Sequence, residues 1–201
     1  MSPKPSKRFL ITQTLLSSWQ WVYKLDDGYQ DFLDTLNKKP IHQTKAMLEG
    51  IRFENVLNAV LNGASIDPSH EWYSAIMELK PTLDGAQQQV KVSRDIQVNG
   101  INFVVYGVLD FLKAGIIYDS KFSKTYHVGK YLDSPQHPLY FFIVPEAYEF
   151  QYKICDGTYI YTETYRPDEV EPIERTIGHF MDFLDRQNLV DTYTANWISK
   201  Y

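Results

Sequence analysis

Hydrophobic residues recur at helical spacing through the first third of the chain. Over residues 12–62 the apolar positions fall three or four residues apart, as they do on the buried face of an amphipathic helix. Gly63 stands where a glycine usually ends a helix. Asp67-Pro68-Ser69 is a typical helix start, so we predict another short helix through Met77 that Pro81 ends. The N-terminal third is therefore predicted to be helical.

Alternating and continuous apolar segments follow from about Gln87 onwards. The segment 87–98 alternates apolar and polar residues, and Asn99-Gly100 is a preferred pair for a two-residue hairpin turn. The next strand, 101–112, is almost continuously apolar, as expected of a strand that is covered on both faces. A turn at Lys113-Ala114-Gly115 leads into the following strand. These segments predict a sheet with buried central strands.

The last third of the sequence predicts one more helix and hairpin before the C-terminal elements. Ser134-Pro135 begins a helix that runs to residue 144, and Asp156-Gly157 turns a hairpin. A long acidic amphipathic helix from about Asp168 to Asn188 and an aromatic tail complete the chain. The order of elements predicts an α/β or α+β protein with a mixed central sheet of about five strands flanked by helices, in a single domain spanning residues 1–201.

Composition limits the class of protein and the compartment in which we expect it. The 201 residues are 44% hydrophobic and 22% charged, which is typical of a globular domain with its own core. The single cysteine, Cys155, excludes an internal disulfide, a four-cysteine zinc site and a cysteine-ligated iron–sulfur cluster within the chain. No apolar run approaches the length of a membrane span, and the start of the chain lacks the apolar core of a signal peptide. We therefore expect a cytoplasmic protein without a membrane partner.

Two carboxylates and one lysine stand on the predicted central strands. Asp119 and Lys121 are two residues apart on one strand and so share a face, and the tight turn brings Asp110 of the preceding strand close to Asp119. Close carboxylates favour a hard cation such as Mg²⁺ or Mn²⁺ between them, and a lysine beside the ion can orient water or hold negative charge on phosphorus. The alternative is a simple surface ion pair between Asp119 and Lys121.

Four short motifs follow one another in an informative order. They are Gly50-x-x-x-Glu54 on a helix, Gly107-x-x-Asp110 on a strand, Asp119-x-Lys121 on the next strand and Gln136-x-x-x-Tyr140 on the following helix. In this order the motifs resemble the PD-(D/E)XK nuclease superfamily, and more closely its RecB-like, phage-type exonuclease branch. The resemblance implies an α/β fold with a restriction-endonuclease-like core. The branch often has Glu in the place of Asp119, and many members hold an iron–sulfur cluster that this chain cannot ligate.

The resemblance also implies a role for each motif residue. Glu54, Asp110 and Asp119 would be metal ligands, with the backbone carbonyl of Ser120 completing the shell around one or two Mg²⁺ or Mn²⁺ ions, and Lys121 would be the catalytic lysine. These three carboxylates and Lys121 would together be the catalytic residues. A further group would bind substrate, and it comprises Gln136, Tyr140 and Lys124. For Glu54, Gln136 and Tyr140 the alternatives are a solvated helix charge, a helix cap and core packing.

The implied function is a divalent-metal-dependent hydrolase of phosphodiester bonds in DNA. The resemblance favours an exonuclease in phage or prophage DNA recombination, repair or replication, with DNA and other recombination or replication proteins as partners. One alternative is a catalytically silent nucleic-acid-binding or protein-interaction module with the same fold. The other is an endonuclease or an RNA-cleaving relative.

The distribution of charge is compatible with a nucleic-acid partner, although the formal net charge is −5. Seven acidic residues and two arginines in 168–191 account for the whole excess, whereas four lysines and one aspartate give 113–130 a local charge of +3. Interleaved Phe122, Tyr126 and Tyr131 either stack on unpaired bases or pack within the protein.

Overall fold

The computed structural model describes residues 7–25, 28–41 and 43–200. The elements are, in chain order, β1 (Arg8–Thr12), α1 (Gln13–Leu25), α2 (Tyr29–Leu36), α3 (Lys45–Leu61), α4 (Tyr73–Leu83), β2 (Gln87–Val98), β3 (Ile101–Lys113), β4 (Ile116–Phe122), α5 (Gln136–Ile143), β5 (Glu149–Cys155), β6 (Ile160–Tyr165), α6 (Ile173–Arg186) and α7 (Val190–Asn196). Residues 1–6, where the sequence predicts no signal peptide, lie outside the described residues.

One mixed sheet of six strands forms the centre of the described structure. Its order is β1-β3-β4-β5-β6, with β2 paired to β3. The pairs β1 with β3 and β4 with β5 are parallel, and the other pairs are antiparallel. The predicted α/β class, with a mixed sheet flanked by helices, is confirmed, and the arrangement is consistent with a restriction-endonuclease-like core.

Helices cover the sheet through two clusters of buried side chains. The first cluster joins α1, α2, α5, α6 and α7 to strands that include β3 and β5, and it contains Trp19, Leu109 and Phe180. The second joins α3 and α4 to the sheet through Phe111 and Tyr118. Burial of apolar surface on both sides explains why the central strands are almost continuously apolar. Within the described residues, no helix is long and apolar enough to cross a bilayer.

Two tight hairpin turns fix the register of the central strands. The turn residues Asn99 and Gly100 have φ values of 51° and 79°, and Ala114 and Gly115 have 50° and 77°. Two consecutive left-handed residues are the requirement of a type I′ hairpin turn, which matches the right-handed twist of the strands. Because Lys113 pairs with Ile116, the turn places Asp110 and Asp119 at equivalent distances from the end of the hairpin.

The N-terminal third departs from the prediction in two places. Residues Arg8–Thr12 form strand β1, which raises the strand count from about five to six, because β3 offers a parallel partner for this segment. The helix predicted from Asp67 begins instead at Tyr73, and Pro81 lies inside it rather than at its end. The helix continues to Leu83 because Leu83 is buried in the second cluster, which outweighs the hydrogen bond that a proline removes.

The C-terminal region also differs from the prediction. The acidic segment splits into a short 3₁₀ helix at Pro167–Glu169 and helix α6, which begins at Ile173 after Pro172. Proline fixes its own φ and favours extended backbone in the residue before it, which separates the two pieces. The aromatic tail contains helix α7, whose Tyr193 is fully buried. The tail therefore completes the core.

Candidate active site

A gap in the pairing along one edge of β3 forms the base of the candidate site. Strand β2 occupies one edge of β3 from Ile101 to Leu112, so β1 and β4 share the other edge. Strand β1 pairs with residues 102–106 and β4 with 111–113. No strand in the described part of the chain pairs with 107–110 on that edge. The motif Gly107-x-x-Asp110 occupies this gap.

Two side chains satisfy backbone groups at the gap. The Tyr140 hydroxyl donates a hydrogen bond to the carbonyl oxygen of Val108 at 2.8 Å. The amide N–H of Ser120 donates to Asp110 Oδ2 at 3.1 Å. Since buried backbone groups need partners, these contacts replace the missing strand hydrogen bonds and hold Asp110 against β4.

Asp119 and Lys121 lie together on β4, as their spacing predicts. Lys121 Nζ is 2.7 Å from Asp119 Oδ2, and the Asp119 residue is only 3% exposed. The side-chain amide of Gln136, the first residue of α5, donates to Asp119 Oδ1. Ser134 accepts a hydrogen bond from the backbone N–H of Gln136 at 3.2 Å, which fixes the start of the helix. Asp119 and Lys121 therefore share a face as predicted, and Gln136, for which the sequence predicted a substrate-binding role, contacts Asp119.

Glu54 approaches the same region from α3. Its Oε1 accepts a hydrogen bond from the side-chain amide of Gln89 at 3.2 Å. In the register of β2 and β3, Gln89 falls opposite Asp110, and its φ of 52° is left-handed. Glu54 is close enough to Asp110 for its charge to act on that carboxyl group. Glu54 of α3 therefore adds negative charge near Asp110 while its side chain bonds to Gln89.

Burial and repulsion dominate the electrostatics of the site. Burial, followed by the charge of Asp119 and then that of Glu54, raises the pKa of Asp110 to about 8, against the opposing effect of Lys121. For Lys121, burial acts to lower the pKa, but the carboxylates of Asp119 and Asp110 outweigh it and raise the pKa of the ammonium. The site therefore carries carboxylates that compete for one positive charge.

The oxygen atoms around Asp119 are of the kind that a divalent cation binds. Asp119 Oδ2 is buried beside the ammonium of Lys121 at 2.7 Å, and the Ser120 hydroxyl is buried without a hydrogen-bond partner. Oxygen donors of this kind fit Mg²⁺ or Mn²⁺. Within the described residues, however, no three His, Cys, Asp or Glu side chains already stand in metal-binding geometry. Glu54 turns to Gln89 here, so the predicted metal site remains a prediction.

The remaining predicted residues take different positions. Ser120 lies beside Asp110 through its amide, and Tyr140 is buried under the gap. Lys124 forms an ion pair with Glu49 of α3 at 2.6 Å, so its ammonium is held by that helix and not by the carboxylates of the site. The predicted substrate-binding role of Lys124 stays a prediction.

The basic segment 113–130 does not form one continuous surface. Lys113 donates to the carbonyl oxygens of Thr82 and Asp84 at the end of α4, whereas Lys130 donates to the hydroxyl of Ser123, close to β4. The three aromatic residues of the segment pack on aromatic neighbours in the protein, at ring-centroid distances of 5.3 Å for Phe122 on Trp72, 4.7 Å for Tyr126 on Tyr161 and 4.6 Å for Tyr131 on Tyr152. Of the two interpretations of these rings, stacking on bases or packing within the protein, the structure shows the packing.

A groove beside the site contains residues that the sequence analysis missed. Its volume is about 630 Å³, and Lys121 and Gln136 lie in its wall. Helix α1 supplies Gln13, Gln20 and Trp21 to the groove. The polar positions of α1 do recur at helical spacing, which is a signal in the sequence. That signal does not show which element lies opposite the polar face of α1, because the tertiary fold decides it.

Comparisons with known proteins bear on the fold. No protein-family model matches the chain, and no curated protein matches it. A solved structure described as "Crystal structure of SSO0001" is similar, with a TM-score of 0.54 and 14% sequence identity over 91% of this chain and 80% of that chain. At this level of identity the similarity concerns the fold alone.

Proposed function

We propose that the protein is a divalent-metal-dependent nuclease that hydrolyses phosphodiester bonds in DNA. The observation that carries this proposal is the position of Asp110 of β3 beside the ion pair that Asp119 makes with Lys121, with the charge of Glu54 from α3 also acting on Asp110. A purely structural ion pair does not need Asp110 and Glu54 near it, since like charges repel one another. Clusters of this kind are expected where a protein holds a cation.

Each residue has a part that follows from its position. Glu54, Asp110 and Asp119 would hold Mg²⁺ or Mn²⁺, which when bound lowers the pKa of water and offsets charge on the leaving oxygen. Lys121 keeps its proton because the carboxylates raise its pKa, so it acts as a fixed positive charge for phosphate oxygens and as a donor that orients water. Its side chain is 30% exposed, which leaves the ammonium accessible to a substrate.

Gln136 and Tyr140 support this arrangement from α5. Gln136 donates to one oxygen of Asp119 and leaves the other to Lys121, which fixes the orientation of the carboxylate. Tyr140 holds the backbone of β3 at Val108, two residues before Asp110. Both residues are therefore positioning residues, and Gln136, which lies in the wall of the groove, also contacts substrate.

The finer assignment follows the motif order. The order of the four motifs supports an exonuclease in phage or prophage DNA recombination, repair or replication. A silent binding module of the same fold would be expected to lose Lys121 or a carboxylate, and this chain retains Lys121 and all three acidic residues.

The test is cleavage of linear and circular DNA and RNA, single- and double-stranded, in Mg²⁺ or Mn²⁺. We expect the wild type to cleave DNA, and Lys121→Ala and Asp110→Asn each to lower the rate at least about 100-fold. The matched controls are Lys39→Ala and Asp95→Asn, which break surface ion pairs with Asp34 and Arg8 and should keep wild-type rates. Equal cleavage by all variants, or none by the wild type, would refute the proposal. Cleavage of circular DNA would exclude a strict requirement for an end.

A further inference from the structure

The groove beside Lys121 has two walls of different chemistry. One wall is helix α1, with Gln13, Gln20 and Trp21, and the other is the segment after β4, with His127 and Lys130. Lys121 and Gln136 connect the groove to the candidate active site. A volume of about 630 Å³ is that of a small-ligand cleft, so it suits individual unpaired nucleotides and not the width of a duplex.

Trp21 differs from the other tryptophans of the chain. It is 62% exposed, whereas Trp19, Trp72 and Trp197 are 2%, 2% and 6% exposed. A single exposed apolar residue is ordinary on a protein surface. Here, however, the exposed ring lies on the wall of a groove that leads to the site. A flat aromatic ring in this position is a stacking platform for a base.

The polar groups of the groove suit a phosphate backbone. Lys121 and Lys130 are positive and Asp133 is the acidic residue of the lining. The ammonium of Lys130 is fixed by the Ser123 hydroxyl at 2.6 Å, so it is already positioned close to the end of β4. The side-chain amides of Gln13 and Gln20 add donors and acceptors that do not select a sequence. This combination of positive charge and aromatic surface is that of non-specific single-strand binding.

We propose that this groove binds an unpaired nucleic-acid strand, with Trp21 stacked on a base and Lys130 facing a phosphate, and leads the strand to Lys121. The inference rests on the proposed nuclease function and specifies its substrate as a single strand or a frayed end. Trp21 is a binding residue in this scheme and takes no part in bond cleavage.

Binding is measured with a fluorescent short oligothymidylate and a duplex of equal length, with Ca²⁺ replacing Mg²⁺ and a gel confirming intact strands. We expect the single strand to bind more tightly than the duplex, Trp21→Ala to weaken that binding about tenfold, and Trp21→Phe to weaken it less. Lys130→Ala should weaken binding and lower the salt dependence by the equivalent of about one phosphate contact. The control is Tyr148→Ala, which removes another exposed ring (56%) next to Gly115, at the other end of β4.

Intrinsic fluorescence gives a second readout. Because the other three tryptophans are buried, quenching by bound oligothymidylate should come from Trp21 and disappear in Trp21→Phe. Wild-type affinity in folded Trp21→Ala, no single-strand binding by the wild type, or equally tight Trp21-dependent duplex binding would each overturn the inference. Cleavage with unchanged KM in Trp21→Ala would refute the groove while the nuclease proposal stands. Trp21-dependent binding without cleavage in Mg²⁺ or Mn²⁺ would refute the nuclease proposal while strand binding in the groove stands.

Discussion

Gly107 of β3 and Tyr140 of α5 are in contact so close that no side chain fits at position 107. A Cβ atom built on Gly107 would overlap Tyr140 Cε1 and lie 3.1 Å from the tyrosine hydroxyl oxygen. That hydroxyl in turn donates to Val108, in the gap along the edge of β3. The first residue of one motif and the last residue of another therefore form a single contact, and the glycine is what lets α5 reach the gap.

We predict that Gly107→Ala destabilises the protein by about 1–3 kcal/mol, because the added methyl group must displace the buried ring of Tyr140. Nuclease activity should fall with it, since Tyr140 supports the strand that carries Asp110. Urea denaturation measures the free energy of unfolding. The double variant Gly107→Ala/Tyr140→Ala should show coupling, with the second change costing less than it does alone.

Gly50 provides the matched control for this prediction. It is the glycine of the motif on α3, and a Cβ atom there would meet no atom within 4 Å. Alanine inside a helix is more favourable than glycine by about 0.5–1 kcal/mol, so Gly50→Ala should stabilise the protein. If both substitutions destabilised to the same degree, the contact with Tyr140 would not be the reason for Gly107.

The arrangement within one hairpin was predictable from sequence because it depends on local geometry. Strand alternation puts Asp119 and Lys121 on one face, and the two-residue turn after Lys113 brings Asp110 alongside. Contacts that depend on how distant elements dock were not predictable in the same way. The hydrogen bond of Gln89 to Glu54 requires the docking of α3 on the sheet and a left-handed residue in a strand, and neither has a sequence signal.

The errors in the predicted fold also arise where contacts between distant elements decide the structure. Strand β1 is a five-residue segment whose apolar residues run directly into those of α1, and only its partners, β3 and the bridge from Phe9 to Ile198, make it a strand. Pro81 was predicted to end α4 on local preference, and burial of Leu83 overrides that preference. Tertiary burial decides where local signals are weak or conflicting.

Asp110 and Asp119 are predicted to respond oppositely to the same substitution. Without metal at neutral pH, Asp110→Asn should raise the free energy of unfolding by about 1 kcal/mol, because Asp110, whose pKa is raised to about 8, takes up a proton on folding whereas asparagine does not. Asp119→Asn should lower it by about 1–2 kcal/mol, because it leaves the partly exposed ammonium of Lys121 without its ion pair. Urea denaturation of both variants in EDTA measures the two changes.

Addition of Mn²⁺ provides the control for this pair. Wild-type Tm should rise with Mn²⁺ concentration if the carboxylates bind the ion, and Asp110→Asn should lose most of that rise. The surface variant Asp95→Asn should keep it. Destabilisation by Asp110→Asn in EDTA would contradict the prediction. It would show that the hydrogen bond between Ser120 and the Asp110 carboxyl group stabilises the folded protein by more than the placement of that group at the site costs.

Glu163 of β6 is predicted to hold one wall of the groove in place. This residue is 7% exposed, and its carboxylate accepts hydrogen bonds from the backbone N–H groups of Gly129 and Tyr131 at 3.0 and 3.3 Å. Glu163→Gln puts a donor where an acceptor is needed and should cost about 1–3 kcal/mol. Hydrogen exchange at Gly129 and Tyr131 should accelerate in the variant.

The hydroxyl of Tyr165 also donates to Glu163, at 2.6 Å, and supplies the control. Tyr165→Phe removes one donor but leaves both backbone contacts, so exchange at Gly129 should stay close to the wild-type rate. Slow exchange at Gly129 and Tyr131 in Glu163→Gln would mean that other contacts fix this wall of the groove.

His137 of α5 makes the stability of the protein depend on pH in the acid range. The residue is 2% exposed, and its ring stacks on Tyr165 at 4.0 Å. Burial lowers the pKa of His137 to about 4, from an ordinary value of 6.5. Between these values the unfolded chain binds a proton that the folded protein does not, so stability decreases as the pH falls from 6.5 towards 4, by up to about 3 kcal/mol.

His137→Phe keeps an aromatic ring for stacking but cannot be protonated, and the difference in unfolding free energy between wild type and variant should shift in favour of the variant on acidification. Urea denaturation at a series of pH values measures this difference. His179→Phe, at an exposed position of α6, should follow the wild type at every pH. A difference between wild type and His137→Phe that stays constant across the range would show that His137 is protonated in the folded protein.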